Sequence, residues 1–407
     1  MKILLAHNFY GSEAPSGENA VYAAERDLLR ARGHEVIEFT RKSDDIRSRG
    51  AAGAVQGALS TPWNPFSAAA MHRLILRERP AVVHAHNTFP LISPSIFSAA
   101  HALGVPTVLT LHNYRSFCAA GIPMRENRPC TDCLDQRSVM PAMRYGCYRG
   151  SRLATVPMAA MIALHRGLGT WQRHVDAFIA LTAFQRDKLV AAGLPAERVH
   201  LKPHFYPQPP APLPWPAREG KVVYIGRLGA EKGLHSLVEA WRLWGHAAPP
   251  LEMIGDGPER APLERSIAAA ALGGKIALLG QLSFAATQEK LARAKLLVLP
   301  SLCYEGFPMA IREAFALGVP VAGSRLGSIP CIVEDSRTGV LFTAGDARDL
   351  HRAVRDIWGD ATGLERMATA ARAEFEDKYT AERNYASLFE IYAAAIASRG
   401  VGRTATE

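Results

Sequence analysis

Seven of the fourteen residues from 203 to 216 are proline, and short apolar runs alternate with helix-period segments on both sides of that stretch. Proline at this density cannot continue a helix or a central strand, so 203–219 reads as a semi-rigid linker. Before it, strands are expected at 2–6, 34–40, 80–86, 105–112 and 175–181. A helix over 20–32 carries Val21, Ala24, Leu28 and Leu29 at helical spacing and stops at Gly33. After it, strands are expected at 221–225, 251–254, 276–279, 296–300 and 319–322. Strands alternating with helices on both sides of a linker predict an α/β chain of two doubly wound, Rossmann-like domains facing across a cleft. The expected boundaries are 1–202 with an insert at 113–150, a linker at 203–219, a second domain at 220–378, and a helix and tail at 379–407. That last helix is expected to pack back on the N-terminal domain and to end in a disordered tail from 399.

The 407 residues fit this count, since cores are ordinarily built from about 150–200 residues. A hydrophobic fraction of 48% with 21% charged residues describes a soluble globular protein. No apolar run approaches the roughly 18 residues of a membrane span, and residues 153–164 are the longest candidate. Residues 1–7 turn polar too soon for a signal peptide, so a cytoplasmic location is expected.

The net charge of +9 is concentrated between residues 111 and 175, where nine Arg face Glu126, Asp132 and Asp135. Nucleic acid, an anionic membrane surface, a pyrophosphate-bearing acceptor or a plain solvated face each accounts for such a segment. Nucleic acid ranks last, because the aromatic interleaving of a stacking platform is missing.

Chemistry-bearing residues gather at the ends of expected strands. Residues 303–320 read as a loop feeding a short helix, with Pro308 in its first turn and Gly318 at its stop. A helix start after a strand offers unpaired N–H groups and a favourable dipole to an anion. Glu305 and Glu313 lie beside it, which suits a ligand carrying both phosphates and hydroxyls. Arg227 and Lys232 sit with Gly226, Gly229 and Gly233 in another strand-to-helix loop; Arg can hold two phosphate oxygens and Lys acts as a point charge. Neither a Walker A loop nor a G-x-G-x-x-G fingerprint is present, and no Asp-x-Asp occurs anywhere in the chain. In the N-terminal half, Gly17 stands at a loop–helix junction, and His86-Asn87 and His112-Asn113 close two strands. Cys118, Cys130, Cys133 and Cys147 include one C-x₂-C pair. That spacing favours a structural zinc over disulfides, with free thiols or a redox pair as the other readings.

Taken together these motifs resemble the family 4 retaining glycosyltransferases of the GT-B fold, over nearly the whole chain. The resemblance rests on Glu305-Gly306-Phe307-Pro308-Met309-Ala310 with Glu313-Ala314, on Gly226-Arg227-Leu228 with Glu231-Lys232-Gly233, on residues 255–258, and on Ile332-Val333-Glu334-Asp335 with Thr338-Gly339. The cysteine-containing insert is similar to that of a bacterial subset. Relatives usually show Gly-Gly-Glu where this chain has Ser16-Gly17-Glu18.

The resemblance implies hexosyl transfer from a UDP- or GDP-linked sugar to a sugar or lipid-linked hydroxyl, without a catalytic metal, in cell-surface polysaccharide or glycolipid synthesis. The N-terminal domain would be the acceptor side. Arg227 and Lys232 would bind the diphosphate and Glu313 the ribose. Glu305 and the backbone of Gly306, Phe307, Pro308 and Met309 would grip the sugar and phosphate. His112 would contact the sugar, and Gly17 would bring its N–H to the phosphate. The basic segment would contact an anionic membrane at its cytoplasmic face. Two other readings keep the fold: a nucleotide-sugar epimerase or hydrolase, and a non-catalytic nucleotide-sugar-binding subunit.

Overall fold

The structure, a computed structural model, describes residues 1–11 and 16–404. The chain divides into two compact units. The first comprises Met1–Pro123, Thr131–Pro203 and Asn384–Glu407, the second Met124–Cys130 and His204–Arg383.

The strands of the first unit are β1 (Lys2–Phe9), β2 (Glu35–Lys42), β3 (Val82–Asn87) and β4 (Thr107–Thr110). A two-residue hairpin of β5 (Met124–Arg125) and β6 (Arg128–Pro129) groups with the second unit, and β7 (Ala177–Ala180) and β8 (Val199–Leu201) complete the first. The order β2-β1-β3-β4-β7-β8 is parallel throughout. Parallel strands need crossovers that cover the sheet, so their sequences are apolar on both faces. β3 and β7 are accordingly buried from end to end. The pairing of β1 with β3 shifts register between Ala6 and His7.

The second unit contains β9 (Val222–Ile225), β10 (Leu251–Ile254), β11 (Ile276–Gly280), β12 (Leu296–Leu299), β13 (Val321–Ser324) and β14 (Gly339–Phe342). Their order, β11-β10-β9-β12-β13-β14, is again parallel. Each sheet reverses winding direction beside its first strand. In doubly wound sheets the loops at that reversal form the ligand crevice. Here they follow β1 and β3 in one unit and β9 and β12 in the other.

Four strands were not anticipated: β5 and β6, of two residues each inside the expected insert, and β8 and β14. β8 and β14 lie at sheet edges, where three or four residues suffice and the apolar signal is short. The helix read as ending near 398 continues, spanning Ala381–Thr404; the expected tail is helical that far, and its last three residues lie outside the described ones. Leu388, Ile391, Tyr392 and Ala395 of this helix join Ile3, Leu5, Val82, Val108 and Ile179 in the core of the first unit.

Candidate active site

In the second unit the loop after β9 carries Arg227 and Lys232, and the loop after β12 carries Glu305. Lys232 Nζ lies 2.6 Å from Glu305 Oε1, which also accepts from Ser301 Oγ at 2.7 Å. Burial works against both charges, but their mutual attraction outweighs it: Lys232 is raised and Glu305 lowered from their ordinary values. Arg227 is exposed, and among the described residues its guanidinium makes no ion pair. Leu302 N–H donates to Glu231 O at 2.8 Å, tying the two loops together. Glycine is required where they touch, because a Cβ on Gly233 would come 2.1 Å from Pro300 O. Gly255 serves the same purpose, its Cβ position falling 2.0 Å from Gly226 O. The residues 332–339 signature is also structural: Thr338 Oγ1 accepts from Glu334 N–H at 2.9 Å, turning the chain into β14.

The helix after this loop spans Met309–Ala316, with Pro308 as N-cap and Gly318 left-handed at φ 64°. Pro308 thus precedes the first helical turn. Having no N–H, it contributes its fixed φ of −66° and not a hydrogen bond. Ile311 N–H donates to Pro308 O at 3.0 Å, whereas the amides of Met309 and Ala310 precede any intrahelical acceptor. Phe307 is buried against His204 and Tyr379, with ring centroids 5.5 and 5.8 Å away, which anchors the loop.

Glu313 lies inside the same helix and is buried. Gln288 Nε2 donates to its Oε2 at 3.0 Å, and Arg312 donates to its Oε1 at 3.2 Å. Burial raises its carboxyl above the ordinary value, opposed by Arg312 and by the Gln288 hydrogen bond. Arg312 in turn donates to Phe205 O, and its guanidinium stacks 5.3 Å over the Tyr206 ring.

The first unit presents a second group at the ends of β1, β3 and β4. His7 Nε2 bonds Asn19 Oδ1 at 2.9 Å and stacks on Tyr22, and burial lowers it to about 3. His86 Nδ1 lies 3.1 Å from His112 Nε2, their rings stacked at 5.3 Å. Both line a small cavity of about 50 Å³ with Asn113, Arg115, Met161 and Trp171. Asn113 donates to Glu18 Oε1 at 2.7 Å. Gly17 is the exposed first residue of the helix Gly17–Ala31. Ser16 caps that helix through its side chain at φ −118°, a conformation any residue adopts, so no glycine is needed there.

Residues 19–204 match the family described as "Glycosyl transferase 4-like domain", and residues 208–374 match "Glycosyl transferases group 1". The chain belongs to the GT-B glycosyltransferases. Its fold is similar to that of Anabaena HepE, solved in complex with UDP and glucose, with a TM-score of 0.67 at 18% identity over 97% of this chain and 100% of that one. In sequence it is 28% identical to the 2-deoxystreptamine N-acetyl-D-glucosaminyltransferase of Streptomyces fradiae, over 75% of this chain and 69% of that protein. It is 29% identical to the amylovoran biosynthesis glycosyltransferase AmsK of Erwinia amylovora, over 53% of this chain and 56% of that protein. The glycosyltransferase thus spans between half and about two thirds of the length of these curated relatives.

The four insert cysteines of the glycosyltransferase differ in burial. Cys118 and Cys133 are buried, Cys130 and Cys147 half-buried. Burial pushes the Cys118 thiol up to about 12, with Cys133 and Cys147 near enough to add to the effect. Among the described residues, one group of His, Cys, Asp and Glu has all its ligand atoms within 4.8 Å, and it contains no cysteine: Glu25, His84 and His86.

Of that trio, His86 was read from the sequence as a strand-end candidate, while Glu25 and His84 were missed. Glu25 sits in the apolar stripe between Val21 and Leu29, and a carboxylate at that spacing was the available signal. Lys202, 177 residues away, meets it at 2.7 Å.

Proposed function

We propose that the chain is a retaining hexosyltransferase that moves a hexosyl group from a UDP- or GDP-linked sugar to a hydroxyl of a sugar or lipid-linked acceptor. The observation that carries this reading is the second-unit cluster: Arg227, the Lys232–Glu305 pair and a helix start without a side-chain cap, beside two carboxylates. Cations and amides suit a diphosphate, and buried or paired carboxylates suit hydroxyls. The UDP and glucose bound by HepE support the donor class, and the amylovoran pathway of AmsK supports a role in cell-surface polysaccharide or glycolipid synthesis.

In this reading Arg227 and Lys232 hold the diphosphate, Glu313 the ribose hydroxyls, and Glu305 with the amides of Gly306, Phe307 and Met309 the sugar and its phosphate. Gly17 and His112 take the phosphate and sugar roles that the family resemblance gives them. The bond from the anomeric carbon to the phosphate oxygen breaks, and the bond to the acceptor oxygen forms on the same face. The acceptor proton passes to the departing phosphate oxygen. Charge on that leaving group is met by Arg227, Lys232 and the helix amides, the largest contribution a site of this kind makes. With no Asp-x-Asp in the chain, the reading assigns this work to side chains and amides.

Incubation with UDP- and GDP-sugars, with and without acceptor alcohols, tests the reading. A transferase releases nucleotide slowly until acceptor is added. Rapid release with donor alone points to a hydrolase, epimerised donor to an epimerase, and binding without turnover to a binding subunit.

Two further assignments belong to the same proposal. The helix Arg152–Gly167 exposes Leu153 and Val156 beside Arg149 and Arg152, which supports peripheral contact with an anionic membrane from the cytoplasmic side. Among the described residues no helix is long and apolar enough to cross a membrane. Flotation with anionic liposomes at low and high salt checks this contact. A structural zinc on Cys118, Cys130, Cys133 and Cys147 rests on the C-x₂-C spacing, and elemental analysis with thiol titration checks it.

A further inference from the structure

Arg115 follows β4 in the first unit, and its surroundings fix where its side chain lies. Its N–H donates to Asn113 Oδ1 at 2.9 Å, which sets the turn from which the side chain leaves. The guanidinium carbon lies 4.4 Å from the centre of the Phe89 ring, and a Cβ on Gly121 would fall 2.9 Å from Nη2. An aromatic ring thus backs one face, and a glycine leaves room at one edge.

The donors held this way are not used by the fold. Nε and Nη1 are buried and make no hydrogen bond, and among the described residues no carboxylate lies within ion-pair distance. An Arg side chain keeps its proton in proteins, so the charge cannot be shed to escape burial. The Phe89 face offsets only part of that cost. Glu18 is close enough to feel the charge, and a pair between them would settle both groups. The structure does not form it. Glu18 Oε1 accepts from Asn113 at 2.7 Å, and its Oε2 is buried with no hydrogen-bond partner. Burial raises the Glu18 carboxyl, with Asn113 and Arg115 opposing.

Arg115 lines the cavity of about 50 Å³ at the ends of β3 and β4, together with His86, Asn113 and Trp171. At roughly 10–15 Å³ for each water-sized group, there is space for about three to five of them. That is the size of a carboxylate or a phosphate. Water fits the same space but brings no charge. The segment around Arg115, with nine Arg against three acids between residues 111 and 175, also favours an anion.

We propose that Arg115 is a specificity-determining residue of the acceptor side: it ion-pairs with an oxyanion, carboxylate or phosphate, carried by the acceptor beside the hydroxyl that receives the sugar. The occupant is an acidic sugar or a phosphate-bearing acceptor rather than a neutral one. That it is an acceptor rests on the transferase reading and on His112, which lines the same cavity, as the sugar contact. That it is an anion rests on Arg115.

The experiment is calorimetric titration of the full-length protein, saturated with UDP to fill the donor cluster, with glucuronate, inorganic phosphate and neutral methyl glucoside in turn. The expected result is that at least one anion binds tenfold or more tightly than the neutral sugar, and that Arg115→Met loses about tenfold or more of that affinity. Glucuronate as the bound anion marks an acidic sugar, and phosphate marks a phosphorylated acceptor. Arg115→Lys keeps the charge, loses the planar fork and should fall between the two. No anion binding by the wild type, or equal binding by Arg115→Met, overturns the proposal. If Arg115→Met does not fold, undiminished binding by Arg115→Lys overturns it instead. In transfer assays the preference for anionic over neutral acceptors, as a ratio of kcat/KM, should fall about tenfold or more in Arg115→Met. An equal preference in both proteins sinks this assignment and leaves the transferase reading standing. Arg115-dependent anion binding in a protein that transfers no sugar does the reverse.

Discussion

Lys232 Nζ and Glu305 Oε1 stand 2.6 Å apart on two loops that only the parallel pairing of β9 with β12 brings together. One is the proposed diphosphate ligand and the other the proposed sugar ligand, so each sets the other's charge before a donor arrives. Linkage gives the signs. Glu305 is lowered, so its stabilisation is present above its ordinary 4.5 and lost as pH falls through the folded value. Lys232 is raised, so its stabilisation is present below 10.5 and lost as pH rises through the folded value. A double-mutant cycle with Lys232→Met and Glu305→Gln should therefore show a coupling energy that is flat between these limits. A coupling that changes between pH 6 and 9 would contradict the pairing.

Glu313 is held by Arg312 and Gln288, which makes its two obvious substitutions unequal. Glu313→Gln should weaken nucleotide binding by roughly 10–100-fold, the loss of a charged hydrogen bond to hydroxyls. It should cost little stability. Glu313→Ala also leaves the buried Arg312 unpaired and should destabilise by about 3–5 kcal/mol. Calorimetric titration with UDP and chemical denaturation separate the two effects. Equal stability of both variants would show that Arg312 does not depend on Glu313.

Lys202 and Glu25 form a pair shut away from solvent on both sides. Lys202→Met strands the carboxylate and should cost about 3–5 kcal/mol, whereas Lys202→Met combined with Glu25→Leu should recover most of that. Denaturant midpoints measure both. A double variant no more stable than Lys202→Met would mean that the cost lies in packing rather than in the orphaned charge.

His7 gives the first unit a pH dependence of its own. Burial holds it neutral, at about 3, so the unfolded chain binds its proton first as pH falls below 6.5. Stability should drop by up to about 1.4 kcal/mol per pH unit from 6.5 toward 3 on this account. A His7→Gln variant should flatten that slope. An unaltered slope would place the sensitivity elsewhere, with His84 the next buried candidate.

Much of this architecture was legible in the sequence because parallel α/β chains repeat their grammar. Apolar runs marked the central strands, and the loops after them held Arg227, Lys232, Glu305 and His112. Edge strands β8 and β14 escaped because an edge needs few residues and only one covered flank. The partners of the site residues escaped for a different reason. Lys202 reaches Glu25, and Gln288 reaches Glu313, only after separate crossovers have folded, and no local spacing records those meetings. Glu25 escaped too, although a carboxylate inside an apolar stripe must find a partner and so left a signal.

The central claim is that Arg227 and Lys232 stabilise the departing diphosphate in a sugar transfer that retains anomeric configuration. Its most direct measurement is steady-state turnover of the wild type, Arg227→Ala and Lys232→Ala with the nucleotide sugar that binds best, the product's anomeric configuration being read by NMR. The account predicts a retained configuration and a fall of roughly 10²–10³-fold in each variant, the scale for losing one preorganised charge contact. Near-normal turnover in both variants, or an inverted product, would contradict it.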